Sequence, residues 1–229
     1  MKKSPAIAIT VLLLAACGGG EIESNPPTPT AATPVPKTTE PAPVDVNDRH
    51  TWQKPEEIFR VMGTLQGRTV AELFAADGYF TFKLLEKGAN VIAIVNDPAA
   101  AEALNKRKAE MGLGDDRLKV RVVPAGDPGI GMAEADLALC VNHYANVPDR
   151  VGFFKRVRDG LKPPHQLFVI DFKAVDTPVG PPLETRMDVE AIMNELGEAR
   201  YDDVAAHSGM LPYQFVMVGQ DVLDMPMEQ

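Results

Sequence analysis

The segment 69–80, with the sequence T-V-A-E-L-F-A-A-D-G-Y-F, constrains the fold of this chain more than any other. Its first residues are apolar and favour a strand, Asp77 and Gly78 favour a tight loop, and the residues after them have helical spacing. A buried strand, a tight loop and a helix in this order are typical of the start of a nucleotide-binding α/β domain. Glu72 adds an acidic side chain within the predicted strand.

Strand and helix patterns alternate through the rest of the chain. Strands are predicted at 69–74, 90–95, 118–123, 135–141, 166–172, 201–206 and 213–218. Helices are predicted at 55–65, 78–87, 98–111, 149–161 and 185–196. Continuous apolar strands separated by helices predict an α/β fold with a mostly parallel, seven-stranded sheet and helices on both faces. Ligands of such sheets bind at the carboxyl ends of the strands, beside the first strand.

The N-terminus has the features of a targeting segment. Lys2 and Lys3 precede a short apolar run at 6–14, which is too short to span a bilayer. The L-A-A-C sequence at 14–17 resembles a bacterial lipobox, which implies a signal peptide at 1–16 and acylation of Cys17. Gly18 after the cysteine resembles the sorting pattern for an outer membrane. An ordinary signal peptide with a chance cysteine is the alternative.

Residues 17–48 are predicted to form a disordered tether, because they are rich in Pro, Thr and Ala and have few large apolar residues to bury. Residues 49–229 then form one domain, which is long enough to bury a sizeable core. The net charge of −9 argues against nucleic acid as a partner. We therefore expect an envelope lipoprotein that is bound to the lipid bilayer through acylated Cys17, with its domain facing the periplasm or the exterior.

Six short motifs of the domain resemble those of class I S-adenosylmethionine-dependent methyltransferases, in particular a bacterial subgroup. They are W-Q-K-P-E-E at 52–57, G-Y-F-T at 78–81, D-P at 97–98, L-K-P at 161–163, I-D-F-K at 170–173 and L-P-Y-Q at 211–214. The resemblance covers most of the domain. It implies a Rossmann-like class I methyltransferase fold, S-adenosylmethionine as the cofactor and methyl transfer as the reaction.

The resemblance also implies which residues meet the amino-acid part of the cofactor. The first loop of the family runs acid-x-G-x-G-x-G, which corresponds to Glu72, Phe74, Ala76 and Gly78 in this chain. Glu72 would bind the amino group, although an acid at a strand end without a ligand is an alternative. Ala76 adds one methyl group, which a negative φ would accommodate. The ring of Phe74 either fills the pocket or points into the core.

The positions that meet the nucleoside in the family also differ here. The family has an acid at the end of the second strand, where it accepts hydrogen bonds from the ribose hydroxyls; this chain has Val95, followed by Asn96 and Asp97. A missing acceptor in a buried site costs about 1–3 kcal/mol for each hydrogen bond lost. Asp97 is predicted to cap the helix that begins at Pro98. Asp127 follows the third strand, where the family contacts the adenine, and a turn residue before proline is the alternative.

Polar and aromatic side chains follow the fourth predicted strand, at Asn142, His143 and Tyr144. The resemblance implies that they face the acceptor substrate. His143 is a candidate general base, because an imidazole titrates near neutrality. A histidine that lines the pocket without a catalytic role is the alternative. The sequence contains no Cys/His pattern that predicts a metal site.

Two functions follow from these patterns. The first is methyl transfer from S-adenosylmethionine to an unknown acceptor. The second is a non-catalytic methyltransferase-fold lipoprotein that serves as a periplasmic binding or interaction module. The position of Phe74 distinguishes them, because a ring across the pocket favours the module and a ring turned into the core favours the enzyme.

Overall fold

The computed structural model describes residues 44–222, which form a seven-stranded sheet flanked by helices. The strands are β1 (Thr69–Leu73), β2 (Asn90–Val95), β3 (Leu118–Val122), β4 (Ala135–Val141), β5 (Leu161–Phe172), β6 (Asp203–His207) and β7 (Gln214–Gln220). The helices are α1 (Arg49–Gln53), α2 (Pro55–Met62), α3 (Tyr79–Glu86), α4 (Pro98–Glu110), α5 (Arg150–Asp159) and α6 (Val189–Glu198), with 3₁₀ turns at Tyr144–Asn146 and Leu183–Thr185. The predicted signal peptide at 1–16, the lipidation of Cys17 and most of the tether at 17–48 lie outside the described residues.

The sheet has the strand order β3-β2-β1-β4-β5-β7-β6. Strands β1 to β5 run parallel, and β7 is antiparallel to both of its neighbours, β5 and β6. The predicted mostly parallel, seven-stranded sheet is therefore confirmed. Val70 of β1 pairs with Val91 on one side and Leu137 on the other, so the first strand lies at the centre of the sheet.

Helices cover both faces of the sheet, as predicted. One face packs against α2, α3 and α4 through a core that includes Ile58, Phe80 and Leu104. The other face packs against α5 and α6 through a core that includes Phe153 and Leu196. The central strands contribute side chains to both cores, which is why their sequences are mainly apolar.

The predicted helix at 149–161 ends earlier than its apolar spacing indicates. Helix α5 ends at Asp159, and Leu161 begins strand β5, where it pairs with Ala135 of β4. Pro163 and Pro164 cannot continue a helix, because proline lacks the amide hydrogen that a helix interior uses. Strand β5 is therefore five residues longer at its start than the predicted strand at 166–172.

Helices α6 and α1 also differ from the prediction. Helix α6 begins at Val189 instead of residue 185, since the Asp188 side chain accepts a hydrogen bond from the Glu190 amide and caps the helix there. Helix α1 was not predicted. The side chain of Asp48 caps it, so the described part of the predicted tether, residues 44–48, includes a turn that starts the domain.

Within residues 44–222, no helix is both long enough and apolar enough to span a membrane.

Candidate functional site

The loop between β1 and α3 keeps a left-handed backbone at all three positions where the family has glycine. The φ angles are 59° at Phe74, 46° at Ala76 and 75° at Gly78. The negative φ that would accommodate the methyl group of Ala76 without strain is therefore not present. Backbone hydrogen bonds hold the loop in this shape, from the Ala75 amide to the Ile94 carbonyl (2.8 Å) and from the Gly78 amide to the Ala75 carbonyl (2.8 Å). A left-handed conformation costs a non-glycine residue roughly 1–2 kcal/mol, and the rest of the fold offsets this strain.

Gly78 has a packing role at the start of α3. A Cβ atom there would lie 2.5 Å from Leu104 Cδ2 and 2.8 Å from Phe82 Cε2. The glycine thus allows α3 to approach α4 closely. Gly78 was predicted to touch the cofactor, but it lines neither of the two pockets described below.

Glu72 is buried at the carboxyl end of β1, beneath this loop. Its carboxyl group is hydrogen-bonded to the Thr81 hydroxyl of α3. Burial away from water raises the pKa of Glu72 from its ordinary value of 4.5 to about 8, and the negative charge of Asp77 adds to the effect. The side chain is therefore mainly neutral at pH 7.

A cavity of about 580 Å³, called here the large pocket, opens at the carboxyl ends of β1, β4 and β5. Glu72, Asp77 and Arg49 supply titratable groups to its wall. Its aromatic walls are formed by Phe74, His143, Trp52, Phe80 and Phe172. The volume lies within the range of about 300–1,000 Å³ that is usual for pockets that hold small molecules.

A chain of polar side chains runs along one side of the large pocket. Arg49 Nε is hydrogen-bonded to Gln53, whose amide donates to Gln214 Oε1 (3.2 Å). The Gln214 amide in turn donates to Asn142 Oδ1. Gln53 and Gln214 are fully buried, so each satisfies the other's polar group in the core. The W-Q-K-P-E-E and L-P-Y-Q motifs are thus joined in space to the end of β4.

Arg49, Gln53 and Gln214 were not predicted as site residues. Arg49 also contacts Asp77 Oδ2 (3.2 Å) and lies over the ring of Tyr79 (4.0 Å to the centroid). The two glutamines in the W-Q-K-P-E-E and L-P-Y-Q motifs were the available signal, since a buried amide needs a polar partner. Their separation of 161 residues along the chain concealed the pairing.

The ring of Phe74 lies between the large pocket and a second, smaller cavity. It stacks on the His143 imidazole with ring centroids 3.9 Å apart and on the Phe153 ring at 5.7 Å. Phe74 and His143 line both cavities. Phe74 is half-buried, so it combines the two predicted positions, in the pocket and against the core. Its ring packs on the core residue Phe153 and, together with His143, separates the two cavities.

The second cavity, called here the small pocket, has a volume of about 180 Å³. Val95, at the end of β2, is buried in its wall. The side-chain amide of Asn96 donates to the Val123 carbonyl (3.0 Å). Asp97 Oδ1 accepts from the Ala99 amide (2.9 Å), which confirms its predicted role as the cap of α4.

His143 lines both the large and the small pocket. Burial lowers the pKa of its imidazole, so the ring is neutral at pH 7 and can accept a proton. Among the described residues, no hydrogen bond orients its ring nitrogens. Asn142, which also lines the large pocket, has a left-handed φ of 55° and uses Oδ1 to bind Gln214.

Two predicted site residues lie away from both pockets. Tyr144 is fully buried, stacks on Phe154 (4.7 Å) and donates to Glu195 Oε2 (3.0 Å), because its position in a 3₁₀ turn directs the ring towards α5 and α6. Asp127 is exposed, and its Oδ1 accepts from the Gly129 amide (2.8 Å). It therefore acts as the turn residue that was the alternative.

A loop after β5 closes one side of the large pocket with Gly180 and Pro181. Arg186 holds this loop by donating hydrogen bonds to the carbonyls of Pro181 (2.9 Å) and Val175 (2.6 Å), and to the Thr177 hydroxyl (2.7 Å). Because the guanidinium has five donors in a fixed plane, one side chain can fix several loop carbonyls.

The fold of this chain is similar to that of solved methyltransferase structures. A SAM-dependent methyltransferase from Aquifex aeolicus has a TM-score of 0.67 and 17% identity, over 78% of this chain and 95% of its own. A putative type 11 methyltransferase from Sulfolobus solfataricus has a TM-score of 0.58 and 20% identity, over 75% of this chain and 94% of its own. A geranyl diphosphate methyltransferase in complex with SAM has a TM-score of 0.59 and 14% identity, over 76% of this chain and 86% of its own.

These likenesses define the fold as the Rossmann-like fold of class I S-adenosylmethionine-dependent methyltransferases. No family model matches the sequence, and no curated protein matches it. A fold of this class supports many functions, so the function has to be argued from the site itself.

Proposed function

We propose that this protein is an S-adenosylmethionine-dependent methyltransferase whose large pocket holds the amino-acid half of the cofactor and the methyl acceptor. The observation that carries the proposal is the β1–α3 loop. It keeps the left-handed backbone of a glycine loop at Phe74, Ala76 and Gly78, directly above the buried carboxyl group of Glu72. A strained backbone at two non-glycine positions is typical of a functional site.

The residues around the large pocket fit the amino-acid half of the cofactor. Among the described residues, the backbone amides of Ala76 and Asp77 have no hydrogen-bond acceptor, and neither has Nη2 of Arg49. These donors suit a carboxylate. Glu72 suits an ammonium group. The nucleoside half fits less well, because Val95 offers no acceptor for the ribose and the Phe74 ring has to rotate away from His143.

The chemistry asks little of the protein beyond positioning. S-Adenosylmethionine supplies an electrophilic methyl group when bound. The chain's own residues hold the acceptor close to that group and exclude water from a pocket with aromatic walls. His143 is neutral and lines the pocket, so its imidazole can take up the proton that the acceptor loses.

Removal of the Phe74 ring is expected to increase cofactor affinity. Phe74→Gly opens the way between the two pockets, and Val95→Asp in addition restores an acceptor for the ribose hydroxyls. Each new hydrogen bond in a buried site contributes about 1–3 kcal/mol, so the double variant should bind S-adenosylmethionine at least tenfold more tightly than the wild type. Calorimetric titration of the full-length protein with S-adenosylmethionine and S-adenosylhomocysteine measures this.

Phe153→Leu is the matched control for this titration. It removes the other stacking partner of Phe74 but leaves the Phe74 ring between the two pockets, so affinity should not increase. If neither the wild type nor the double variant bound either compound at millimolar concentration, the enzyme would be excluded. That result would leave the non-catalytic binding module.

We also propose that the domain is anchored to the cell envelope through acylated Cys17. The proposal is supported by the sequence of residues 1–17, which lie outside the described residues. Cys17→Ser should abolish incorporation of labelled palmitate and release the protein from the membrane fraction. The control is Cys140→Ser, because Cys140 is buried in β4 and out of reach of an acyltransferase. Label retained in the Cys17→Ser variant would contradict the anchor.

A further inference from the structure

We propose that this site recognises its ligand through an α-amino acid group with a sulfonium side chain and leaves the ribose without a buried hydrogen-bond acceptor. The ligand class is therefore sulfonium amino acids, with or without a nucleoside. The inference extends the proposed function and rests on it for the presence of a sulfonium group in the ligand. The observation behind the inference is that the polar groups are concentrated in the large pocket and are few in the small one.

The polar groups of the site are concentrated in the large pocket. Arg49 is held in place by Gln53 and Asp77 and keeps Nη2 without an acceptor among the described residues. The backbone amides of Ala76 and Asp77, which have no acceptor among the described residues, belong to the loop whose Asp77 side chain contacts Arg49. A guanidinium and backbone amides are the donors that recognise a carboxylate.

Glu72 would bind the positively charged ammonium group of the ligand. Its carboxyl group contributes to the wall of the large pocket and is buried beneath the loop. An ammonium group beside it favours the ionised carboxylate, because an opposite charge offsets the loss of hydration. Binding of an α-amino acid at neutral pH should therefore release a proton from Glu72.

The remaining walls suit an organic cation. Trp52, Phe80 and Phe172 line the large pocket, and the Trp52 and Phe172 rings are 5.8 Å apart in a tilted arrangement. Aromatic faces attract alkylated cations through the negative potential of the ring face. A sulfonium group is such a cation, and it carries no hydrogen-bond donor that these rings would leave unsatisfied.

The small pocket lacks a buried hydrogen-bond acceptor for the ribose hydroxyls. Its volume of about 180 Å³ is below the usual range for ligand pockets. Val95 offers no acceptor. Asn96 and Asp97 also line the small pocket, but both are exposed to solvent; the Asn96 amide donates to the Val123 carbonyl, and one oxygen of Asp97 caps α4. The stacked Phe74 and His143 rings, 3.9 Å apart, separate this pocket from the large one. Two vicinal hydroxyls would thus lose hydrogen bonds to water and meet only solvent-exposed acceptors, which replace those bonds at little gain.

Three probes separate the two halves of the ligand in calorimetric titrations of the full-length protein. S-Methylmethionine has the amino acid and the sulfonium but no nucleoside, 5′-methylthioadenosine has the nucleoside alone, and S-adenosylmethionine has both. We expect S-methylmethionine to bind within about tenfold of S-adenosylmethionine, and 5′-methylthioadenosine to bind at least 100-fold more weakly. Titrations at pH 7 in two buffers of different ionisation enthalpy should show proton release on binding of S-methylmethionine and of S-adenosylmethionine, the two probes that have an α-amino group.

Variants show which residues recognise the ligand. Arg49→Ala should weaken S-methylmethionine binding at least tenfold, whereas Arg60→Ala, which removes an exposed arginine paired with Glu57 on α2, should not. If Arg49→Ala fails to fold, the proton release of the wild type still tests the contact between the ligand and Glu72.

The outcomes distinguish this inference from the proposed function. Binding of S-adenosylmethionine and 5′-methylthioadenosine without S-methylmethionine would overturn the inference and leave the methyltransferase intact. Binding of S-methylmethionine alone would support the inference and contradict S-adenosylmethionine as the cofactor. No binding of any probe at millimolar concentration would overturn both.

Discussion

Glu72→Gln should remove most of the pH dependence of stability between pH 5 and pH 8. In the folded protein, burial raises the pKa of Glu72 to about 8, whereas the ordinary value in an unfolded chain is 4.5. Between these values the folded state holds a proton that the unfolded state has lost. The contribution of the neutral carboxyl is therefore fully present below pH 4.5 and is lost as the pH rises to 8.

The size of this effect follows from the linkage relation. Each pH unit in the interval lowers the free energy of unfolding by about 1.4 kcal/mol, so the wild type should lose about 4 kcal/mol between pH 5 and pH 8 through this group. The amide that replaces the carboxyl group in the variant does not titrate and is close in shape to a protonated glutamate. The variant should match the wild type at pH 5 and exceed it by about 4 kcal/mol at pH 9. Urea unfolding at pH 5, 7 and 9 measures the difference.

Glu134→Gln is the control with the opposite sign. The guanidinium of Arg121 lowers the pKa of Glu134 to about 2, so this carboxylate contributes stability above pH 4.5 that is lost as the pH falls towards 2. Its variant should differ from the wild type by a constant amount between pH 5 and pH 9. Parallel stability curves for the wild type and Glu72→Gln over this range would show that Glu72 is not buried in the neutral form.

Gly78→Ala should destabilise the fold by about 2–5 kcal/mol. The new methyl group would meet Leu104 Cδ2 at 2.5 Å and Phe82 Cε2 at 2.8 Å, and φ is 75°. The left-handed backbone accounts for roughly 1–2 kcal/mol of this loss, and displacement of well-packed core side chains for about 1–3 kcal/mol. Denaturant unfolding of the variant measures the sum.

Gly112→Ala separates the two contributions to this loss. Gly112 follows α4 with φ of 65°, and a Cβ atom there would have no neighbour within 4 Å. The variant should therefore lose only the roughly 1–2 kcal/mol that comes from the left-handed backbone. Equal losses in the two variants would show that α3 and α4 can move apart at no cost, against the close packing described here.

The sequence predicted the central strands best. Strands β2 and β4 have the predicted bounds, 90–95 and 135–141. This is expected for strands that are buried on both faces, since most of their residues have to be apolar. The boundary between α5 and β5 was predicted poorly, because the apolar spacing of Phe153, Val157 and Leu161 is also satisfied when Leu161 starts a strand.

By itself, the sequence determined the order of strands and helices, and with it a parallel α/β sheet whose loop at 74–78 lies at the ligand end. Local hydrophobic patterns specify these features, because each depends on neighbouring residues. Only the tertiary structure placed the rest of the site: the contact between Gln53 and Gln214, the approach of Arg49 to the loop, and the Phe74 ring against His143. These groups come from distant segments, and the closed packing of the sheet and helices decides which of them meet.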